Sequence, residues 1–600
     1  MSKNNYKFKI KHKDQLENLK DSEIYRNKNF KKLFYVILFL KLSLNYILPL
    51  FFSLHKRKGF FQPDEYYQTL NVAYNKAFKH SSIDNTWEWK NNLRSYLFPF
   101  IIEIFGYRLF GQIIPKTISL YLNYVRDLVI ILNTTFFNSE FLIECSQYIG
   151  ILNSQIYSKA VQNGIEYGPI LVMCFISAIT DFFIVALIYK INILIQKPKD
   201  LENFTKQDAN NIIKSSFLIV ATNFFGSFFG TRSFINNFEL LLNTVALYFF
   251  DWNNENSSFF ILSLTFAFLS ILQRPTNAVI WIILGLYKIL TDFTYLKKLK
   301  LFKQLLVSFL VASLITMMTD YYFYEELCFP IVKFIEFNFT KNLSVFYGSA
   351  PMNFHIFQSI PLINGITLPY YLLSLISVSK SHKLIRLMHF VLMLNLIAFS
   401  LIDHKEFRFL YPVQQLYLVL STIQYFKTPL ISKSFGSLLC YGSCILGWVL
   451  AYFNESGVIE LCDYINKTDI RSIGFLMPCH STPGISYMNQ FTGEIWQLSC
   501  EPPLSLLDEV NQNLVKKNLV SYQDESDIFY ADYYKWLDKN VGSDKTYPWP
   551  ECIAMFSSLS GSIYSTHLRP NGYLLEKNWF NTLKHWDGRR DGDVELYCKT

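Results

Sequence analysis

The chain has 600 residues, of which 51% are hydrophobic, 18% aromatic and only 17% charged. Soluble domains carry nearer a quarter of charged residues, so this balance excludes an ordinary soluble domain and points to a membrane protein. The net charge of +9 is not a nucleic-acid footprint, because Lys and Arg cluster in short loops beside apolar runs.

The first 32 residues are polar, with nine Lys and one Arg against four acids. No cleavable signal peptide is expected, since the first apolar run begins too late and lacks a small-residue cleavage site. Runs long enough to span a bilayer follow at about 33–53, 167–192, 304–323, 385–402 and 434–452. Shorter candidates lie at about 96–113, 117–135, 215–230, 234–250, 258–273, 277–292, 361–378 and 408–425. The expected fold is an all-α polytopic membrane protein of about 11–13 transmembrane helices, the pair at 96–135 being the least regular.

Orientation follows the basic loops. Lys3 to Lys32, the loop with Lys190, Lys197, Lys199 and Lys206, that with Lys297, Lys298 and Lys300, Ser379–Lys383, and Lys427–Lys433 all fall on one face, read as cytosolic. The opposite face then holds 54–95, Thr231–Ser233, Gln273–Thr276, 324–360, Asp403–Arg408 and a C-terminal α/β segment over 453–600. The division is a cytosolic tail (1–32), a multi-span membrane domain (33–452) with its chemistry on loop 54–95, and a C-terminal domain (453–600). Sequons at Asn338, Asn342, Asn454 and Asn466 land on the second face, although Asn203 lands on the first. Five of the ten cysteines, Cys462, Cys479, Cys500, Cys552 and Cys598, fall in the C-terminal quarter. Disulfides fit an oxidising lumen there, with connectivity open, and the absence of any CxxC or Cys/His ligand spacing argues against structural zinc.

The first loop of the second face reads Phe61-Gln-Pro-Asp-Glu-Tyr-Tyr-Gln68, then Thr86-Trp-Glu-Trp-Lys90 and Leu93-Arg-Ser-Tyr96. Asp64 and Glu65, adjacent carboxylates just outside a span, suit a general base with a neighbour that orients it or binds sugar hydroxyls. Trp87 and Trp89 offer flat faces to a sugar ring, and Glu88 accepts hydroxyl hydrogen bonds. The competing reading is a solvated loop with interfacial tryptophans. Arg232 and Arg274 sit at the ends of spans, where a guanidinium suits a phosphate oxyanion or snorkels to headgroups. Asp403-His-Lys-Glu-Phe-Arg408 gathers five titratable residues between apolar runs and is the second candidate for phosphate or sugar contact. Asp591-Gly-Asp593 imitates a metal-binding DxD but reads as a polar turn among Gly588, Arg589 and Arg590. Cys479 beside His480 is flanked by Pro478 and Pro483 with no base-orienting partner, so a catalytic thiol is not expected.

Taken together these segments resemble the polytopic mannosyltransferases that use dolichyl-phosphate-mannose, a family of GT-C architecture. The Pro-Asp-Glu loop with Thr-Trp-Glu-Trp and Arg-Ser-Tyr resembles the family's first lumenal loop, and Asp403–Arg408 its His-Lys-Glu motif. Phe346-Tyr-Gly-Ser349 with Leu368-Pro369, Leu476–Pro483, and the tail Trp579–Thr582 with Arg589-Arg590 and Gly592-Asp-Val594 resemble the branch that adds the third mannose of the glycosylphosphatidylinositol (GPI) core. Two departures stand out: Gln62 where many relatives have His, and Asn581-Thr-Leu-Lys-His-Trp-Asp587 where a His-rich stretch is usual.

The resemblance implies an enzyme of the endoplasmic reticulum membrane, with cytosolic N-terminus and lumenal site, acting on lipid substrates. Donor and acceptor would be dolichyl phosphate mannose and the GPI precursor. It implies inversion, with Asp64 as base and Glu65 orienting it or the acceptor. Arg232, Arg274, His404, Lys405 and Arg408 are then candidates for the donor phosphate, and Trp87, Glu88, Trp89 and Arg94 for the acceptor. Neither a cofactor nor an obligatory metal is expected. A sister enzyme for a fourth GPI mannose or the N-glycan precursor, and a transporter of lipid-linked sugar, remain as rivals. Against a transporter stand charges at span ends rather than mid-span, and no visible repeat.

Overall fold

The computed structural model describes residues 28–51, 59–79, 85–196, 204–253, 259–291, 295–428, 433–509 and 511–599. The chain before residue 28, with most of its basic residues, and Lys197, Lys199 and Asn203 lie outside them. Among the described residues, six helices are long and apolar enough to cross a membrane. They are Leu97–Phe137, Glu140–Ile195, Lys298–Tyr324, His355–Ile376, Lys383–Leu401 and Phe435–Phe453, with Phe260–Gln273 and Pro275–Thr291 as shorter apolar helices. This is fewer full-length spans than the 11–13 expected. The shortfall has a pattern. One helix ends at Gln273, immediately before Arg274, and Ile235–Phe249 starts just after Arg232. Gln414–Lys427 follows the 3₁₀ turn that holds Arg408. Irregular backbone at membrane depth is tolerated only where it is buried in protein or lines a cavity, so helices stopped short at one face mark a polar recess there.

Helix α1 (Lys28–Leu42), α2 (Asn71–Phe78), α3 (Glu140–Ile195), α4 (Ile235–Phe249) and α5 (Lys433–Phe453) suffice to place that recess. Lys41 of α1 pairs with Asp181 of α3 at 2.8 Å, both buried, tying the two together. The two spans expected at 96–113 and 117–135 are instead one helix, Leu97–Phe137. Pro115 lies inside that helix just after a π-helical stretch, Ile102–Ile113, whose widened turns spare the carbonyl that proline would otherwise clash with. That helix folds back on α3 through glycine contacts so close that a Cβ on Gly164 would lie 2.0 Å from the Phe110 carbonyl oxygen. At 56 residues, α3 is about 84 Å long, far beyond a hydrocarbon core of about 30 Å. Its overhanging polar stretch, Ser154 to Glu166, lines a groove with Gln490 of the C-terminal domain.

That domain carries a five-stranded sheet of β1 (Ser472–Leu476), β2 (Glu494–Gln497), β3 (Cys552–Phe556), β4 (Tyr573–Trp579) and β5 (Val594–Lys599), in the order β2-β1-β3-β5-β4. β1 runs parallel to β2 and β3, whereas β5 is antiparallel to both β3 and β4. The disulfide Cys552–Cys598 crosslinks facing residues of β3 and β5, and Cys479–Cys500 closes a loop after β1. Cys462 stays a buried thiol. One hydrophobic core joins this domain to the first loop: Phe60 and Tyr66 sit with Val458, Phe475, Met477 and Leu596. Burying aromatic surface of the loop against the sheet makes the two parts one packing unit.

Candidate active site

Asp64 and Glu65 open a helical run that starts behind Pro63 and continues through Tyr66–Leu70 into α2. Proline suits a helix start because its missing N–H would have no partner there. Neighbouring residues on a helix point in different directions, and the two carboxylates part accordingly. Asp64 reaches Arg408, pairing with its Nη2, and keeps about a quarter of its side chain exposed. Glu65 turns inward, buried, accepting from Arg232 Nη1 at 3.0 Å and from the Ser233 amide at 3.2 Å.

Arg232, expected to face a phosphate, is 1% exposed; both of its terminal nitrogens are engaged, and its Nε is buried without a hydrogen-bond partner. Nη1 also donates to the Gly59 carbonyl at 2.9 Å and Nη2 to the Ala451 carbonyl at 3.0 Å, with the guanidinium between the Phe61 and Phe228 rings. It pins the first loop to the end of α5. Glu65 is thereby spent on that anchor rather than on orienting Asp64. Lys405 and His404 are likewise committed: Lys405 Nζ donates to the Ala350 carbonyl at 2.8 Å, and His404 Nδ1 lies 2.9 Å from the Gly348 oxygen. Both hold the Phe346–Ser349 turn against the 403–408 segment. The tryptophans are not open sugar platforms. Trp87 and Trp89 are buried, donating to the Tyr347 hydroxyl (3.1 Å) and the Tyr67 carbonyl (3.2 Å). Glu88 accepts two hydrogen bonds from Arg94, at 2.6 and 2.9 Å, so neither is a free contact for a hydroxyl.

Arg408 is the hub. Its Nε and Nη2 grip Glu406 at 2.7 and 2.9 Å, Nη2 also meets Asp64, and the guanidinium lies over the Phe234 ring. Its Nη1 is buried with no hydrogen-bond partner. Gln62 donates to Glu406 at 3.2 Å, filling the place where relatives often have His. Burial would raise the Glu406 carboxyl, but Arg408 and His404 beside it hold it well below the usual carboxylate range. Burial would lower His404, and Glu406 reverses this to raise it. Arg94 and Arg274 add positive field here: Arg94 feels Asp64 and Arg408, and Arg274 feels Arg94, Arg408 and Glu406. Arg274 is partly balanced by Glu239 at 3.7 Å.

Of the residues expected at the site, the structure thus brings Asp64, Arg94, Arg274 and Arg408 into one cluster of interacting charges. It assigns Glu65, Arg232, His404, Lys405, Trp87, Trp89 and Glu88 to the packing around it. The central place of Glu406, the partner Glu239 and the hydroxyl of Tyr347 were not anticipated. Glu406 had a signal in its motif, whereas the other two became visible only in three dimensions. Asp591 and Asp593 form a turn, Asp591 accepting from the His585 amide at 2.5 Å and the Asp593 amide bonding Ser557 Oγ. Cys479, His480 and Cys500 cluster closely, but the two thiols are joined to each other and cannot serve as thiolate ligands. The sequon residues Asn338, Asn342 and Asn466 already use their amides, on the Phe334 carbonyl, Asp403 and the Tyr487 carbonyl, and Asn454 bonds Glu455.

Comparison with known proteins bears on the family and the fold. The family model of the Alg9-like mannosyltransferase family matches residues 36–489. GPI mannosyltransferase 3 of Candida glabrata is 36% identical over 585 residues, covering 90% of this chain and 93% of that protein. The protein of the same name in Saccharomyces cerevisiae is 35% identical (90% and 93% covered), and that of Drosophila melanogaster 27% identical (84% and 77%). Among solved structures, ArnT from Cupriavidus metallidurans bound to undecaprenyl phosphate superposes with a TM-score of 0.50 at 10% identity, covering 94% of this chain and 97% of that one. That likeness speaks for the fold alone, a GT-C membrane glycosyltransferase architecture with a small C-terminal sheet. The chain belongs to the Alg9-like mannosyltransferase family.

Proposed function

We propose that this enzyme transfers the third mannose, in α-1,2 linkage, from dolichyl phosphate mannose to the GPI precursor in the lumen of the endoplasmic reticulum. The name shared by the curated relatives supports the acceptor and step. The observation that carries the chemistry is Arg408, which holds Asp64 and Glu406 with two nitrogens while Nη1 is buried and left without a hydrogen-bond partner. Asp64 takes the proton of the acceptor hydroxyl as its oxygen bonds to C1 of the donor mannose. The C1–O bond to phosphate breaks in line, and the phosphate leaves with the electron pair. The growing charge on that phosphate meets Arg408 Nη1, backed by Arg94 and Arg274, so it needs electrostatic stabilisation more than protonation. Glu406 locks the guanidinium in plane through a two-point contact. The N-terminus faces the cytosol and the site the lumen, the orientation that the basic loops favour.

Depleting the protein from cells tests the step. A glycolipid with two mannoses is expected to accumulate. Accumulation of a three-mannose lipid, or of a truncated dolichol oligosaccharide, would move the assignment to a sister enzyme.

A further inference from the structure

The loop after β1, Pro478–Gly484, reaches from the C-terminal domain onto the helical run that begins at Asp64. His480 lies against Tyr67, ring centroids 4.3 Å apart, and Tyr67 bonds the Thr482 side chain. The loop is held from several sides. The disulfide Cys479–Cys500 closes it, and Arg590 donates to the Cys479 carbonyl at 3.2 Å. Ser486 bonds Asn71 of α2 through its amide and hydroxyl, at 3.1 and 2.6 Å. Gly484, at φ +76, is so close that a Cβ there would lie 2.5 Å from Asn71 Nδ2. His480 itself has φ 55, a left-handed conformation uncommon outside glycine and maintained here by those contacts. Its Nδ1 faces Cys500 Sγ at 3.7 Å, which leaves Nε2 without a hydrogen-bond partner among the described residues. Arg590 Nε is also buried and unpaired. Burial, helped by Arg590, pushes the His480 imidazole down to about 4, so at neutral pH it is uncharged and its second nitrogen is a hydrogen-bond acceptor.

We propose that His480 is an acceptor-binding residue, its Nε2 accepting a hydrogen bond from a hydroxyl of the acceptor's terminal mannose and so presenting that sugar to Asp64. The inference rests on the mannosyl-transfer reading above. The placement favours acceptor over donor. The lipid phosphate is met by Arg408, Arg94 and Arg274 from the membrane bundle, whereas His480 comes from the extramembrane domain, the side from which a headgroup glycan approaches. A neutral imidazole packed against a phenol offers a hydroxyl one directed acceptor and offers a phosphate no charge. The C-terminal domain is then part of the acceptor site and not only a brace.

The test uses purified full-length protein, dolichyl phosphate mannose and a synthetic glycolipid ending in two mannoses. His480→Gly suits the left-handed backbone and removes the ring, and His480→Phe keeps a ring on Tyr67 without the nitrogen. Both are expected to raise acceptor KM about tenfold or more, the loss typical of one directed hydrogen bond, with donor KM within twofold of wild type. His480→Asn, which tolerates the same backbone and carries a carbonyl acceptor, is expected to recover part of the loss. The phenylalanine variant decides the matter if the glycine variant does not accumulate. An unchanged acceptor KM in His480→Phe, or donor and acceptor KM rising together, would overturn the proposal. Wild-type protein that fails to elongate this acceptor would instead refute the function proposed above.

Discussion

Asp64 and Glu65 are adjacent in the chain and opposite in consequence. Asp64→Asn keeps the size and much of the contact to Arg408 but removes the proton acceptor. A general base contributes about 10²–10⁴-fold, so mannose transfer is expected to fall at least a hundredfold while membrane abundance holds; near-normal transfer by folded Asp64→Asn would eliminate this base. Arg232→Met behaves otherwise. It leaves Glu65 buried without its partner, an uncompensated charge that costs about 3–5 kcal/mol. The expected result is lower abundance and a lower heat-inactivation midpoint, with donor KM of the surviving protein unchanged; a selective rise in donor KM would return Arg232 to the phosphate. The sequence could name Arg232 and Arg274 as costly at a span end and Arg408 within a charged turn, but not tell which of them the fold leaves for a ligand. Whether a guanidinium binds a ligand depends on which of its donors the fold has already filled: both terminal nitrogens of Arg232 are taken, whereas one of those of Arg408 is not. For Arg232 the filling groups include the carbonyls of Gly59 and Ala451, which no side-chain pattern reveals. The same holds for Trp87 and Trp89, whose residue type suggested a sugar platform and whose ring nitrogens are instead tied to Tyr347 and Tyr67.

At the scale of elements, apolar windows located the helices well and their joints poorly. The less regular apolar stretches at 96–113 and 117–135 are one helix, Leu97–Phe137, and the π-helical adjustment within it cannot be seen in composition. The alternation of basic loops nevertheless put the Asp64 loop, the three arginine turns and the C-terminal domain on one face, as the contacts among them require. The disulfide pairing waited on the sheet, since only register places Cys552 opposite Cys598. The hairpin of Leu97–Phe137 with α3 has a direct test. Asn123 and Asn153 meet across it at 3.0 Å, so cysteines at both positions are expected to crosslink readily on oxidation. Adding Gly164→Leu forces side-chain atoms into the Phe110 carbonyl and is expected to cut the crosslink by about half or more. Undiminished crosslinking would show that the helices do not meet at that glycine.

The whole molecule is one unit by packing, because the first loop and the C-terminal sheet share a core. Ending the chain after residue 452 strips Phe60 and Tyr66 of that cover and removes the partner of Asn71. Such a chain is expected to insert in the membrane yet show no detectable transfer, with the 59–79 segment newly open to protease in detergent. A truncated chain that kept even a tenth of wild-type transfer would make the domain an accessory.

Asn71 and Ser486, which bond each other beside the site, are 415 residues apart in the chain, and Asp64 and Arg408 are 344 apart. At about 5–20 residues per second of synthesis, the Asp64 loop emerges some tens of seconds before the residues that complete it exist. During that interval Phe60 and Tyr66 have no core to enter, and Asp64 has no guanidinium. The Asp64 loop is made well before the residues that complete it and, by this geometry, matures only after them. Every newborn molecule therefore passes through an aromatic-exposing state that lasts until the sheet up to β5 has been made to cover Phe60 and Tyr66.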